Sequence, residues 1–175
     1  MAELKRTYYA SCYDQRKLRE EYFVINKKKE GEYKEYYPSG RLKIICSYID
    51  NKKQGEYKEY YYNGKLYMSG IYIDYIMIGE HKIYYDNGQL YTIGAYIDNN
   101  KNDEHKIYYR NGQIHTICTY IDNKKHGEYK EYYENGQLYI ICAYKNNKLN
   151  GEYKKYNNSG DLIKSFVYED DIQIR

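Results

Sequence analysis

A strict internal period constrains this chain more than any other feature. Gly31-Glu32-Tyr33 returns as Gly55-Glu56-Tyr57, Gly79-Glu80-His81, Asp103-Glu104-His105, Gly127-Glu128-Tyr129 and Gly151-Glu152-Tyr153, each step being 24 residues. Ser39-Gly40, Asn63-Gly64, Asn87-Gly88, Asn111-Gly112, Asn135-Gly136 and Ser159-Gly160 keep the same step. So do Tyr48, Tyr72, Tyr96, Tyr120, Tyr144 and Tyr168. Anchors in phase over so many copies define a repeat array, in which each unit depends on its neighbours for cover. Upstream, Arg16-Lys17-Leu18 and Val24-Ile25 align with Gly40-Arg41-Leu42 and Tyr48-Ile49. The pattern therefore predicts a degenerate capping unit over residues 1–30, tandem repeats without insertions over 31–168, and a charged tail over 169–175.

Each repeat holds two segments of strand composition, such as Glu32 to Tyr37 and Leu42 to Ile49. The apolar spacing does not follow a helical period, and β-branched and aromatic residues dominate. Asn-Gly or Ser-Gly between the segments signals a hairpin. A two-residue turn there predicts that Tyr37 faces Leu42, Glu35 faces Ile44 and Tyr33 faces Cys46. One face then carries Tyr33, Tyr37, Leu42, Ile44, Cys46 and Tyr48, and packs. The other carries Glu32, Lys34, Tyr36, Lys43 and Ile45, and stays half wet. Asp50 to Gly55 reads as a polar inter-repeat turn ending at positive φ, a region that Asp103 tolerates in the copy lacking glycine. The predicted fold is all-β, a single-sheet meander of stacked antiparallel hairpins advancing ~10 Å per repeat, to roughly 65 Å.

Composition agrees with a thin fold. Charged residues make up 30%, yet there are 30 tyrosines, each an apolar ring with a water-tolerant hydroxyl. The net charge of +3 selects neither nucleic acid nor an acidic partner. Met1 to Ala10 has no apolar leader core, and no apolar run reaches the ~18 residues of a membrane span. Cysteine usage is not that of a secreted disulfide framework, so an intracellular, cytoplasmic setting is expected.

Gly55-Glu56-Tyr57-Lys58-Glu59-Tyr60-Tyr61, then Asn63-Gly64-Lys65-Leu66 and Tyr72, resembles the MORN repeat in its second variant. The resemblance covers about residues 7 to 170. It implies an extended hairpin ribbon serving as a protein-interaction or membrane-proximal scaffold, and some bacterial relatives are described as antitoxin-like. Three departures stand out. Tyr or His occupies the family's tryptophan position. Cys46, Cys118 and Cys142 occupy a glycine column that Gly70 and Gly94 keep. The entry to the third repeat is apolar.

Copies of one residue march along the sheet at ~10 Å intervals, whereas catalytic groups must meet at ~3 Å. Recurrent columns therefore do not converge on a catalytic centre, and no enzyme activity or cofactor is expected. His81 and His105 share a column and are too far apart to share a zinc. Cys118 and Cys142 are too far apart for a disulfide. The Glu32 and Lys34 columns read as a self-neutralising solvated face. The loop lysines Lys28, Lys29, Lys52, Lys53, Lys101, Lys124, Lys125 and Lys148 read as a ridge along one edge.

The strongest exception is Tyr75-Ile76-Met77-Ile78, apolar where the loop is otherwise polar. Ile83 and Ile107 replace the Glu35-type residue beside His81 and His105. These eight residues are the candidate partner-binding patch, weighed against a local thickening of the core. The expected function is a non-catalytic protein-interaction scaffold with an unidentified protein partner. Peripheral binding to an anionic membrane surface through the lysine ridge is one alternative, and an antitoxin or immunity role is another. Nucleic acid is not expected as a partner. The charged ends predict a monomer.

Overall fold

The computed structural model describes residues 1–10 and 17–175, and these form strands and turns with no helix. Cys12 and Arg16 lie outside the described residues. The chain divides into two compact units, Met1–Gly88 and Gln89–Arg175. The first contains β1 (Glu3–Tyr8), β2 (Leu18–Ile25), β3 (Lys28–Tyr36), β4 (Leu42–Ile49), β5 (Lys52–Tyr60), β6 (Leu66–Ile73) and β7 (Ile76–Tyr84). The second contains β8 (Leu90–Ile97), β9 (Asn100–Tyr108), β10 (Ile114–Ile121), β11 (Lys124–Tyr132), β12 (Leu138–Lys145), β13 (Lys148–Tyr156), β14 (Leu162–Glu169) and β15 (Ile172–Gln173). Within each unit every strand pairs antiparallel with the next in the chain, as expected for stacked hairpins.

The two turn types are the reverse of the sequence expectation. Tyr37 N donates to Arg41 O and Gly40 N to Tyr37 O, both at 2.8 Å, with Gly40 at φ 87°. This is a three-residue loop, a type I turn followed by a left-handed glycine. The residue before the glycine, Ser39 or Asn63, is not at positive φ. The two-residue turn with both residues at positive φ lies between repeats instead. Asp50 and Asn51 have φ 56° and 70°, and Ile49 pairs directly with Lys52. Asp and Asn tolerate this region because their short polar side chains bond locally. Lys52 to Gln54, expected in a loop, therefore belong to β5. Gly55 keeps its expected positive φ, and so does Asp103 at 59°.

Two irregularities per repeat decide which face each side chain takes. Glu35 pairs with Ile44 and Tyr33 with Cys46, as expected, but Tyr36 rather than Tyr37 pairs with Leu42. Lys43 is thus an extra residue in the ladder, a β-bulge that turns both Lys43 and Ile44 toward the same side. The Leu42 column moves to the polar face, as Leu138 shows by sharing a groove with Ile141, Ala143 and Tyr156. Lys43 joins the aromatic face and bonds Glu35 at 2.8 Å. The second irregularity surrounds Gly55: Cys46 pairs with Tyr57 but Tyr48 with Lys53.

Among the described residues, all that are buried lie on the aromatic face: Tyr33, Cys46, Tyr57, His81, Gly94, His105, Thr116, Cys118 and Cys142. None is sealed from solvent completely, so the core is one side chain deep. Residues 1–30 are less degenerate in structure than in sequence. Tyr8 pairs with Leu18 and Thr7 with Glu20 in the register that Tyr36–Leu42 and Glu35–Ile44 use. Tyr9 N bonds Lys17 O where Tyr37 N bonds Arg41 O, so the two hairpins close on equivalent backbone bonds and differ in how many residues lie between them. In the expected charged tail, Asp170 and Asp171 form one more inter-repeat turn, and β15 pairs with β14.

Candidate functional site

Most recurrent residues are consumed in joining one repeat to the next. At the edge of three-residue loops, the Tyr37 hydroxyl donates to Tyr60 O at 2.7 Å, and Tyr61, Tyr109 and Tyr133 repeat this with Tyr84, Tyr132 and Tyr156. At the opposite edge, Asn51 Oδ1 accepts from Lys29 N at 2.6 Å while Asn51 N donates to Lys29 O at 3.0 Å. Asn123 holds Lys101 in this way, Asn147 holds Lys125, and Asp171 holds Leu149. Each such bond contributes about 1 kcal/mol.

The polar face is self-neutralising. Lys58–Glu56 at 2.9 Å, Lys82–Glu80 at 2.5 Å, Lys106–Glu104 at 2.6 Å, Lys130–Glu128 at 2.5 Å and Lys154–Glu152 at 2.6 Å recur with the period, as does Lys34–Glu32. Exposed pairs of this kind add little stability. Six of the loop lysines split between two duties. Lys28 pairs with Asp50 at 2.9 Å and Lys52 with Asp74 at 2.5 Å. Their neighbours turn to the aromatic face. Lys29 Nζ lies 4.3 and 4.4 Å from the Tyr22 and Tyr33 ring centres, Lys53 4.4 Å from Tyr57, Lys101 5.2 Å from Tyr120, and Lys125 4.7 Å from Tyr129.

Across the repeats of Tyr57, His81, His105 and Tyr129 the aromatic face uses two side-chain sets. In one, a tyrosine leans on a cysteine of the preceding strand and bonds a glutamate two residues on. Tyr57 pairs with Cys46 and donates to Glu59 at 2.9 Å; Tyr129 pairs with Cys118 and donates to Glu131 at 2.9 Å. In the other set, glycine, histidine and isoleucine take these places. His81 packs on Gly70 with Nε2 3.0 Å from Ile71 O, and His105 on Gly94 with Nε2 2.9 Å from Ala95 O. A Cβ at Gly70 would stand 2.1 Å from the His81 ring, so this approach requires glycine. A histidine has no phenol to offer a carboxylate, and Ile83 and Ile107 occupy the glutamate position. Burial raises the Tyr57 phenol and Cys46 thiol, pushes the Tyr120 phenol up to about 12 and the Cys142 thiol up to about 11, and lowers both imidazoles.

Of the eight candidate residues, Tyr75, Ile76, Met77, Ile78, His81 and Ile83 lie in the first unit and His105 and Ile107 in the second. The two histidines and Ile83 and Ile107 belong to the packing sets just described. Met77 pairs with Tyr72 on the aromatic face. Tyr75 sits at φ 70° where four other turns place Asn and two place Lys27 and Asp171, with its ring 6.4 Å from Tyr48 and its hydroxyl donating to Asn51 O. Ile76 and Ile78 point to the polar face, paired with Ile73 and Ile71. Ile71, Ile73 and Ile76 are 42, 45 and 36% exposed, an aliphatic patch at the end of the β6–β7 hairpin. Ile71 and Ile73 were missed by sequence reasoning. The signal for Ile71 was its column, which in the other full repeats holds the smaller Ser47, Ala95, Thr119, Ala143 and Val167.

In the second unit the polar face carries a groove of about 400 Å3, floored by Leu138, Ile141 and Ala143 and rimmed by Tyr156 and the Glu152–Lys154 pair. Among the described residues no cluster of His, Cys, Asp or Glu is arranged to hold a metal ion. No helix is long and apolar enough to cross a membrane.

Period, register and side-chain columns together define a β-hairpin repeat module. The sequence matches the MORN repeat variant family over residues 29–50, 53–74, 77–98, 104–122 and 125–146, and the chain belongs to that family. A comparison with curated proteins found no match. The family is generally a non-catalytic repeat module and suggests a binding scaffold.

Proposed function

We propose that the protein acts as a monomeric, non-catalytic scaffold whose protein partner docks on the aliphatic patch formed by Ile71, Ile73, Ile76 and Ile78. The observation that carries this reading is the exposure of Ile71 and Ile76 together: the Ile76 position holds Lys52, Asn100, Lys124 or Lys148 in other repeats and the Ile71 position is smaller in each of them, so only here do they extend the exposed isoleucine that Ile73 shares with Ile49, Ile97 and Ile121. Burying one such side chain contributes roughly 1.5–3 kcal/mol, enough for a few to anchor a partner. Tyr75 supports the reading, because a bulky residue at positive φ is strained and such outliers collect at functional positions.

Ile73→Lys with Ile76→Lys tests it. Both side chains are exposed, so the variant should keep the wild-type melting profile while losing the proteins that the wild type captures from its native cell. Equal capture by both proteins, or loss of folding in the variant, would refute the docking role. Capture of a toxin would specify the immunity reading. The anionic-surface alternative is weaker, because Lys28 and Lys52 are engaged by Asp50 and Asp74 and Lys29 and Lys53 lie over tyrosine rings. Sedimentation with anionic vesicles that fades steeply with salt would reverse that preference.

A further inference from the structure

Replacing a tyrosine by a histidine puts a group that titrates near neutrality where a phenol would stay neutral. His105 is 6% exposed. From β8 it meets Gly94 and Tyr96, the rings 5.3 Å apart. From β10 it meets Cys118 and Tyr120, the latter at 5.1 Å. From its own strand, Lys101 holds its ammonium 5.2 Å from the Tyr120 ring, and Ile107 stands where a glutamate would be. None of these facing groups is a carboxylate, and Asp103, two residues earlier on β9 and paired with Tyr120, is exposed to solvent. Only the backbone at Ala95 and Asn102 offers hydrogen bonds to the ring. A second proton would therefore place a cation in a nearly dry site, beside another cation and without a counter-charge.

We propose that the glycine–histidine–isoleucine set around His105 is an acid-labile joint, which packs while the imidazole is neutral and loosens β9 from β8 and β10 when it is protonated. Burial is the leading cause of a lowered imidazole pKa here, with Lys101 acting in the same direction. The unfolded chain binds the proton at about 6.5 and the folded chain only below that. Stability from this site is thus complete above about pH 6.5 and is lost as pH falls from there toward the folded value. The set exchange seen within the chain supplies its own controls.

The experiment follows the His105 ring proton by NMR in the full-length protein and measures urea unfolding from about pH 7.5 to 5. His105 should titrate below about 6.5. The unfolding constant should rise by up to about tenfold per pH unit inside the window. Gly94→Cys with His105→Tyr and Ile107→Glu should remove that site's share of the pH dependence. The reverse exchange, Cys46→Gly with Tyr57→His and Glu59→Ile, should add a comparable dependence to the first unit. A His105 that titrates at or above the free value would overturn the proposal whether or not the exchanged proteins fold. So would folded exchange variants with the wild-type pH profile.

Discussion

At the scale of the residue, Tyr75 is the clearest conflict between local preference and position. It takes the second place of an inter-repeat turn at φ 70°, where Asn51, Asn123 and Asn147 sit at 70°, 63° and 71°. Asparagine tolerates that conformation and its amide oxygen accepts from the backbone of the preceding repeat; tyrosine does neither. The backbone bond itself is longer, 3.4 Å from Tyr75 N to Lys53 O against 3.0 Å from Asn51 N to Lys29 O. In compensation, the Tyr75 ring rests on Tyr48 and its hydroxyl bonds Asn51 O. Relief of a bulky left-handed residue and a regained side-chain bond outweigh one edge-on ring contact. Tyr75→Asn should therefore stabilise the protein by about 1 kcal/mol, read as a higher urea midpoint. A lower midpoint would mean that the Tyr48 contact dominates. The sequence showed Tyr75 as an exception because its column was otherwise polar. It could not show that the column sits in a left-handed turn, since Asn-Gly is the stronger hairpin signal and Asp-Asn was read as part of a longer loop.

At the scale of the element, each hairpin is regular where the sequence looked regular and irregular where it looked plain. Strand number, antiparallel pairing and the Tyr33–Cys46 and Glu35–Ile44 registers were legible, because period-two alternation and in-phase anchors fix them. The bulge at Lys43 was not legible. A single extra residue leaves no compositional mark, yet it sends Leu42 to one face and Lys43 to the other. The candidate site suffered from a related blindness. Ile83 and Ile107 are more apolar than their column, and with the adjacent His81 and His105 they have the look of a patch. Glycine, histidine and isoleucine change together because ring, seat and hydroxyl partner are one packing unit. That coupling was present in the sequence as the coincidence of Gly70 with His81 and Gly94 with His105. What joins hairpins is also testable at this scale. Tyr109 donates to Tyr132 O at 2.7 Å from a half-buried position. Tyr109→Phe removes the donor while keeping the ring, so it should cost about 1 kcal/mol in urea unfolding of the full chain. An unchanged midpoint would assign the recurrence of this tyrosine to its ring alone.

At the scale of the whole molecule, repetition makes a claim about what can be removed. Deleting residues 124–147 joins Asn123 to Lys148 and so preserves an Asp-Asn-Lys turn of the kind seen at Asp50-Asn51-Lys52. Cys118 would then meet Tyr153 in place of Tyr129. This is a substitution the array already makes, since Cys142 pairs with Tyr153 in the intact chain. Every contact created belongs to a class already present, so the shortened chain should fold cooperatively, with a urea m-value reduced in proportion to the surface removed. Deleting residues 124–135 removes the same kind of chain but half a period. It brings β10 next to β12, two second-type strands whose turn, bulge and clasping residues do not match. That protein should show no cooperative transition. If both deletions fold equally well, the side-chain columns would not be what specifies register, and generic strand pairing would suffice. If neither folds, stability would not be shared among nearest neighbours, and the array would be a single cooperative unit in which no hairpin is interchangeable.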